Sequence, residues 1–184
     1  MDPATVVSAL RRANDVIAMA VGGLLLACVA LILAEVVLRR LGLGALGGTD
    51  EMSGYVMAGA TSWGMAYALT ALAHVRIDLV RHQAGPGLRS VMDLLALGTL
   101  TAVAIAVAWN GWGVLARTLA NNARANTPLE TPLWIPQTLW WSGWVWFGAV
   151  SLVLWIAAAA LLMRGDTAAV DTVIGTRDET EDAA

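Results

Sequence analysis

The sequence predicts an all-α integral membrane protein of four transmembrane helices, with both termini in the cytoplasm and a short interfacial segment between spans two and three. Two observations carry that class. Hydrophobic residues fill 58% of the 184 positions against 14% charged, where a soluble domain would carry about 25% charged residues to stay solvated. The apolar residues also fall in runs of about the 20 residues that a helix needs to cross a bilayer core. In lipid such a run must be helical, because only then does one segment satisfy its own backbone N–H and C=O groups.

Span one is placed at about residues 14–38. Arg11 and Arg12 precede it, as in a signal peptide, but the apolar run outlasts an ordinary h-region and lacks a small-residue cleavage site, so it is read as a retained helix. Cys28 is the single cysteine, which excludes a disulfide within the chain and a Cys-based metal site. Near the end of this span, Glu35 stands four residues before Arg39, the favourable order for a helical ion pair. The connection at 39–51 holds Gly42, Gly44, Gly47 and Gly48 without P-loop spacing, so it is a turn and not a phosphate cradle.

Span two is placed at 52–73. Asp50 and Glu51 sit at its start, where free backbone N–H groups and the positive end of the helix dipole favour acids, and Thr49 or Asp50 is the expected N-cap. A cross-loop pair between Arg39 or Arg40 and Glu51 is also expected. Small residues recur every four positions as Gly54, Ala58, Ser62, Ala66 and Thr70, and span three (94–116) has a similar stripe in Gly98, Ala102, Ala106 and Asn110. Such stripes permit close helix approach, so these faces are expected to meet each other or a partner subunit.

Between them lies "HVRIDLV", in which His74, Arg76 and Asp78 alternate with apolar residues. Period two suggests a strand, but an open strand edge in lipid is excluded. As a helical turn, the same residues put His74 and Asp78 four apart. Either way the segment reads as an interfacial hinge that sets the exit angle of span two. Two histidines and one carboxylate on so short a stretch lack a closed metal-ligand set, and histidines confined to one connection offer no axial pair for a buried haem, so no cofactor is expected.

Span four is placed at 139–163. Pro128, Pro132 and Pro136 make the approach to it extended or kinked. Tryptophans cluster there, and interfacial belts collect Trp in this way. Trp134, Trp140 and Trp141 are candidates for contact with a partner at the outer face. Arginine placement orients the chain: Arg11, Arg12, Arg76, Arg81, Arg89 and Arg164 share one side and Arg39, Arg40, Arg117 and Arg124 the other, which favours cytoplasmic termini. Residues 1–165 thus form a membrane domain. The stretch 166–184, acidic and poor in large apolar residues, is expected to stay unfolded. No basic patch interleaved with aromatics supports binding to nucleic acid.

Four islands in order, "VVLRR" (36–40), "TDEMSGYVM" (49–57), "AHVRIDLV" (73–80) and "TPLWIPQTLWW" (131–141), resemble the small permease subunit of tripartite ATP-independent periplasmic (TRAP) transporters, the DctQ-type family. The likeness covers about residues 14–163 and carries over Arg39, Glu51, His74, Arg76, Asp78, Pro132 and Pro136. The chain departs from the family's pattern in "RRLGLG" and "LGGTDE", where aromatic residues are often found. The resemblance implies a non-enzymatic subunit of the bacterial inner membrane with two partners, a large permease that holds the substrate and ion sites and a periplasmic solute-binding protein. It implies secondary active uptake of a solute, usually an organic acid. The competing classes are a small four-span enzyme acting on a lipid-like or thiol substrate, and an accessory scaffold of another membrane complex. The first is disfavoured because Arg residues gather at span ends and not inside the bundle.

Overall fold

A computed structural model describes residues 3–74 and 83–175. Among the described residues the chain is helical: α1 (Pro3–Arg40), α2 (Thr49–Thr70), α3 (Pro86–Ala120), α4 (Trp134–Met163) and α5 (Thr167–Ile174). Helices α1, α3 and α4 are each long and apolar enough to cross a membrane. Helix α2, with 22 residues, falls short by composition, because Gly, Ser, Thr, Trp and Tyr dilute its apolar residues.

The helices run longer than the spans read from the sequence. Helix α3 starts at Pro86, where a proline in the first turn loses no hydrogen bond because its N–H would have had no helical partner. At 38 residues and 1.5 Å per residue, α1 is about 57 Å long, well beyond the ~30 Å of a hydrocarbon core.

Packing places α4 at the centre. It lies against α2 on one side and α3 on the other, while α1 packs along α2 and barely touches α4. Gly143 of α4 sits so close to Ser62 and Trp63 that a Cβ there would be 2.7 Å from Ser62 Cβ. The small stripe of α2 therefore meets α4 at Ser62, which corrects the first of the two expected arrangements, that the stripes of spans two and three face each other. In α3 the packed positions are Leu97, Thr101, Ala104, Gly111, Leu115 and Thr118, whereas Ala102, Ala106 and Asn110 are exposed. Gly98 alone of that stripe is used, with the Trp155 indole over it. A stripe of small residues allows close approach but does not select the partner; volume does. The bulky residues of α4, notably Phe147, Val150 and Leu154, fill the space between α2 and α3 and are almost wholly buried.

Helix α1 is buried only at Val7, Asn14, Cys28 and Glu35, which are separated by multiples of seven residues. A seven-residue period keeps a narrow seam on one partner as two helices supercoil. That seam runs chiefly along α2, with Val7 reaching the cluster that holds Val170 and Ile174, while Met19, Leu26, Val29, Leu33 and Val36 stay exposed.

At the end of the bundle that carries the N-terminus, Gly165 (φ +77°) reverses the chain after α4. Asp166 then caps α5 by accepting from the Ala169 N–H at 3.0 Å. The α5 side chains Val170 and Ile174 are buried in the same cluster as Val7, Leu69 and Leu154. Folding here corrects the expectation of an unfolded stretch from residue 166. The apolar spacing Val170, Val173, Ile174 makes one helical face, and docking against the bundle offsets the chain entropy that composition alone suggested would win. Residues 176–184 lie outside the described residues.

Candidate functional site

The functional residues read from the sequence concentrate at the end of the bundle formed by the α1–α2 and α3–α4 connections. The α3–α4 connection folds into a tight hairpin. The Ala125 N–H donates to Thr131 O at 2.9 Å and the Leu133 N–H to Ala123 O at 3.0 Å, around an antiparallel bridge between Arg124 and Pro132. An Arg124 guanidinium N–H donates to Glu130 O at 3.1 Å. Pro132 thus sits in a hairpin arm, while Pro136 is already inside the first turn of α4 and buried. The extended or kinked approach expected through Pro136 ends at Leu133, because a proline in a first helical turn interrupts no intrahelical bond.

Glu51 points from α2 at this hairpin, with its Oε2 buried and outside hydrogen-bond distance of a partner among the described residues. One carboxylate oxygen accepts from the Tyr55 hydroxyl, and Thr127, Thr131 and the Leu129 backbone N–H surround the group. The Thr127 hydroxyl most of all, then Tyr55, hold the carboxyl below its ordinary range, against a smaller opposing effect of desolvation. The hairpin tip closes over Gly48, where any Cβ would collide with the Leu129 side chain and where φ is +75°, a region that favours glycine. Gly48 is therefore the N-cap of α2, without a side-chain cap bond, and neither Thr49 nor Asp50 takes that place. Asp50 is exposed. With Glu51, Arg124 and Asn126 it lines a cleft of about 870 Å³ between α2 and the hairpin.

The Glu35–Arg39 pair forms, with Nη2 donating to Oε1 at 2.6 Å. Glu35 is buried and also interacts with the buried Thr49 side chain at the start of α2. The expected pair between Arg39 or Arg40 and Glu51 is not what the structure shows: Arg39 bonds Glu35, and Glu51 is turned to the hairpin. A partner four residues away on one helix costs less chain ordering than one across a glycine-rich loop. Arg40 is exposed.

Trp134 is 44% exposed at the start of α4. Trp140 and Trp141 instead enter the α3–α4 seam, where a Cβ on Gly111 would be 3.2 Å from both rings. The Trp141 indole donates to Ala108 O at 2.9 Å. Trp63 likewise donates to Leu139 O at 3.0 Å and Trp155 to Leu94 O at 3.1 Å. Several tryptophans therefore staple helices together, a role the interfacial-belt reading did not include.

Sequence reasoning also missed Asn14, which is fully buried. Its amide donates to Ala66 O at 3.2 Å and to Thr70 Oγ1 at 3.1 Å, and its oxygen accepts from the Trp146 indole at 2.9 Å. One side chain so ties α1, α2 and α4. The available signal was an amide at the edge of an apolar run, since such a group in lipid must find partners. His74 lies with its ring 6.3 Å from that of Phe147, beside α5; Arg76 and Asp78 lie outside the described residues. No group of three or more His, Cys, Asp or Glu placed to hold a metal occurs among the described residues. The chemistry of the site is that of latches: hydroxyl to carboxylate, indole to carbonyl, amide to indole.

A family model described as "Tripartite ATP-independent periplasmic transporters, DctQ component" matches residues 28–165 of the chain. No curated protein and no solved structure matches it.

Proposed function

The chain belongs to the DctQ component family of tripartite ATP-independent periplasmic transporters, and from that premise we propose that it braces a large permease subunit for ion-gradient-driven uptake of an organic acid delivered by a periplasmic binding protein. Four helices cross the inner membrane in this reading. Helix α2 joins the other three because its hydroxyls bond backward to its own carbonyls, Ser62 to Gly59 O and Thr70 to Ala66 O, so they present little unpaired polarity to the bilayer. Arginine placement puts both termini in the cytoplasm and the hairpin end outside.

The observation that carries the bracing role is α1, buried at Val7, Asn14, Cys28 and Glu35 and presenting exposed apolar side chains from Val16 to Val37. A second helical surface can pack there without rearranging the chain. The hairpin that Glu51 faces, with Asp50, Arg124 and Trp134 at its rim, is the proposed contact for the binding protein; Trp140 and Trp141 support it from behind. Cysteine substitutions at Leu26 and Leu33 test the first role. Crosslinking to a co-purified permease is the expected result, and exclusive labelling by lipid-phase reagents at both positions would defeat it.

A further inference from the structure

Between α3 and α4, on the side away from α2, lies an open groove of about 580 Å³ walled by Ile105, Trp109, Trp112, Trp141 and Leu152, with Gly113 at one end. Its volume falls within the roughly 300–1,000 Å³ of ordinary ligand sites. Every residue lining it is aliphatic, aromatic or glycine. Trp109 is 81% exposed there, an area of indole that nothing among the described residues covers.

A charged group stands at the Gly113 end of the groove. Arg117, one turn beyond Gly113, donates its Nε–H to Gly113 O at 3.2 Å. Its Nη2 lies 3.9 Å from where a Cβ on Gly113 would stand. The guanidinium is therefore held back over the end of the groove. The hydrogen bond that the Arg117 guanidinium makes among the described residues is this one, through Nε, which leaves its Nη donors for a ligand. Trp112 and Trp141, with ring centroids 5.2 Å apart, flank the same end.

Length selects the occupant. From Trp141 to Leu152 the α4 wall spans about 16 Å at 1.5 Å per residue, close to half of a ~30 Å hydrocarbon core. A transmembrane helix from a partner would need a groove of full bilayer depth. One leaflet's acyl chain needs half, with its phosphate at the Gly113 end. We propose that the α3–α4 groove is a binding site for a single anionic phospholipid, one acyl chain lying along Trp109 and Trp141 and the headgroup phosphate on the Arg117 guanidinium. The site requires that α3 and α4 lie in a bilayer and makes no use of the transport role. Its occupant would fill the seam that Trp141 staples and stiffen α3 against α4.

Native mass spectrometry of the full chain in mild detergent, titrated with phosphatidylglycerol or phosphatidylcholine, tests this. The wild type is expected to retain one phosphatidylglycerol in preference to phosphatidylcholine. Arg117→Gln should weaken the phosphatidylglycerol adduct about tenfold, the scale of a lost charge-assisted contact. Gly113→Leu, at a wall position where an added Cβ would have only Arg117 Nη2, at 3.9 Å, within 4 Å, should abolish it. Circular dichroism checks that both variants keep their helices, and Gly113→Ala, expected to weaken the adduct partly, serves if Gly113→Leu does not fold. Equal retention of the two lipids by the wild type, or unchanged phosphatidylglycerol binding in folded Arg117→Gln, overturns the proposal. So does photocrosslinking from position 109, in the assembled complex, that captures a protein partner in place of lipid.

Discussion

Replacing Asn14 by alanine removes an α1 side chain bonded to both α2 and α4. The magnitude follows from what each partner keeps. Ala66 O and Thr70 Oγ1 remain bonded to each other at 3.1 Å within α2, so their loss is small. The Trp146 indole N–H has no such reserve; its acceptor is Asn14 Oδ1 at 2.9 Å. A buried donor left without an acceptor costs about 1–3 kcal/mol, whereas an interhelical bond in a membrane protein contributes on average only about 0.6 kcal/mol net, because alternatives are found in the unfolded state. Asn14→Ala should therefore cost about 1–3 kcal/mol. In a Trp146→Phe background, with no donor to orphan, it should cost about 1 kcal/mol less. Unfolding in mixed detergent micelles, followed by circular dichroism, measures all four proteins of the cycle. Strict additivity of the two substitutions would refute the claim that the indole–amide bond holds α1 to α4.

Three further outcomes are expected. Gly143→Leu should destabilise the bundle by about 1–3 kcal/mol, the usual cost of overpacking, since its Cβ alone would press on Ser62 and Trp63; the same unfolding assay reads it. Glu51→Gln should be less stable than wild type at neutral pH, and the difference should close on acidification. The folded-state pKa is lowered, so the stabilisation is present above the ordinary carboxylate value of about 4.3 and is lost as pH falls through the lower folded value; stability profiles of the two proteins check it. Glu51→Arg should impair assembly, and a second change, Arg39→Glu, should not restore it, because Arg39 bonds Glu35 and not Glu51; recovery of co-purification in the double variant would contradict the observed pairing.

Local features were the legible ones. The four-residue spacing of Glu35 and Arg39 announced their bond, and Pro128 and Pro132 announced an irregular connection before α4. Helix α5 had a readable signature, a Gly165–Asp166 break followed by Val170, Val173 and Ile174, but acidic composition outweighed it in the reading. Partner choice was not legible. Nothing in the spacing of Ser62 or Ala102 says that the first packs against Gly143 and that the second is left exposed. The direction of Glu51 was equally hidden, because its partners Thr127 and Thr131 lie about 80 residues on and reach it only when the hairpin closes.

By itself the sequence determined that the chain is helical and built for a bilayer, since apolar length and backbone hydrogen bonding leave few alternatives in lipid. Its four islands also carried the family likeness. Tertiary structure alone decided that α4 is the central helix, that its tryptophans and Asn14 bond across helices, and that Glu51 faces the hairpin. The physical reason is that burial in a membrane protein is not announced by hydrophobicity. Lipid-facing and core-facing residues are alike apolar, so shape and the pairing of a few polar atoms, which exist only in the folded chain, settle which face meets which.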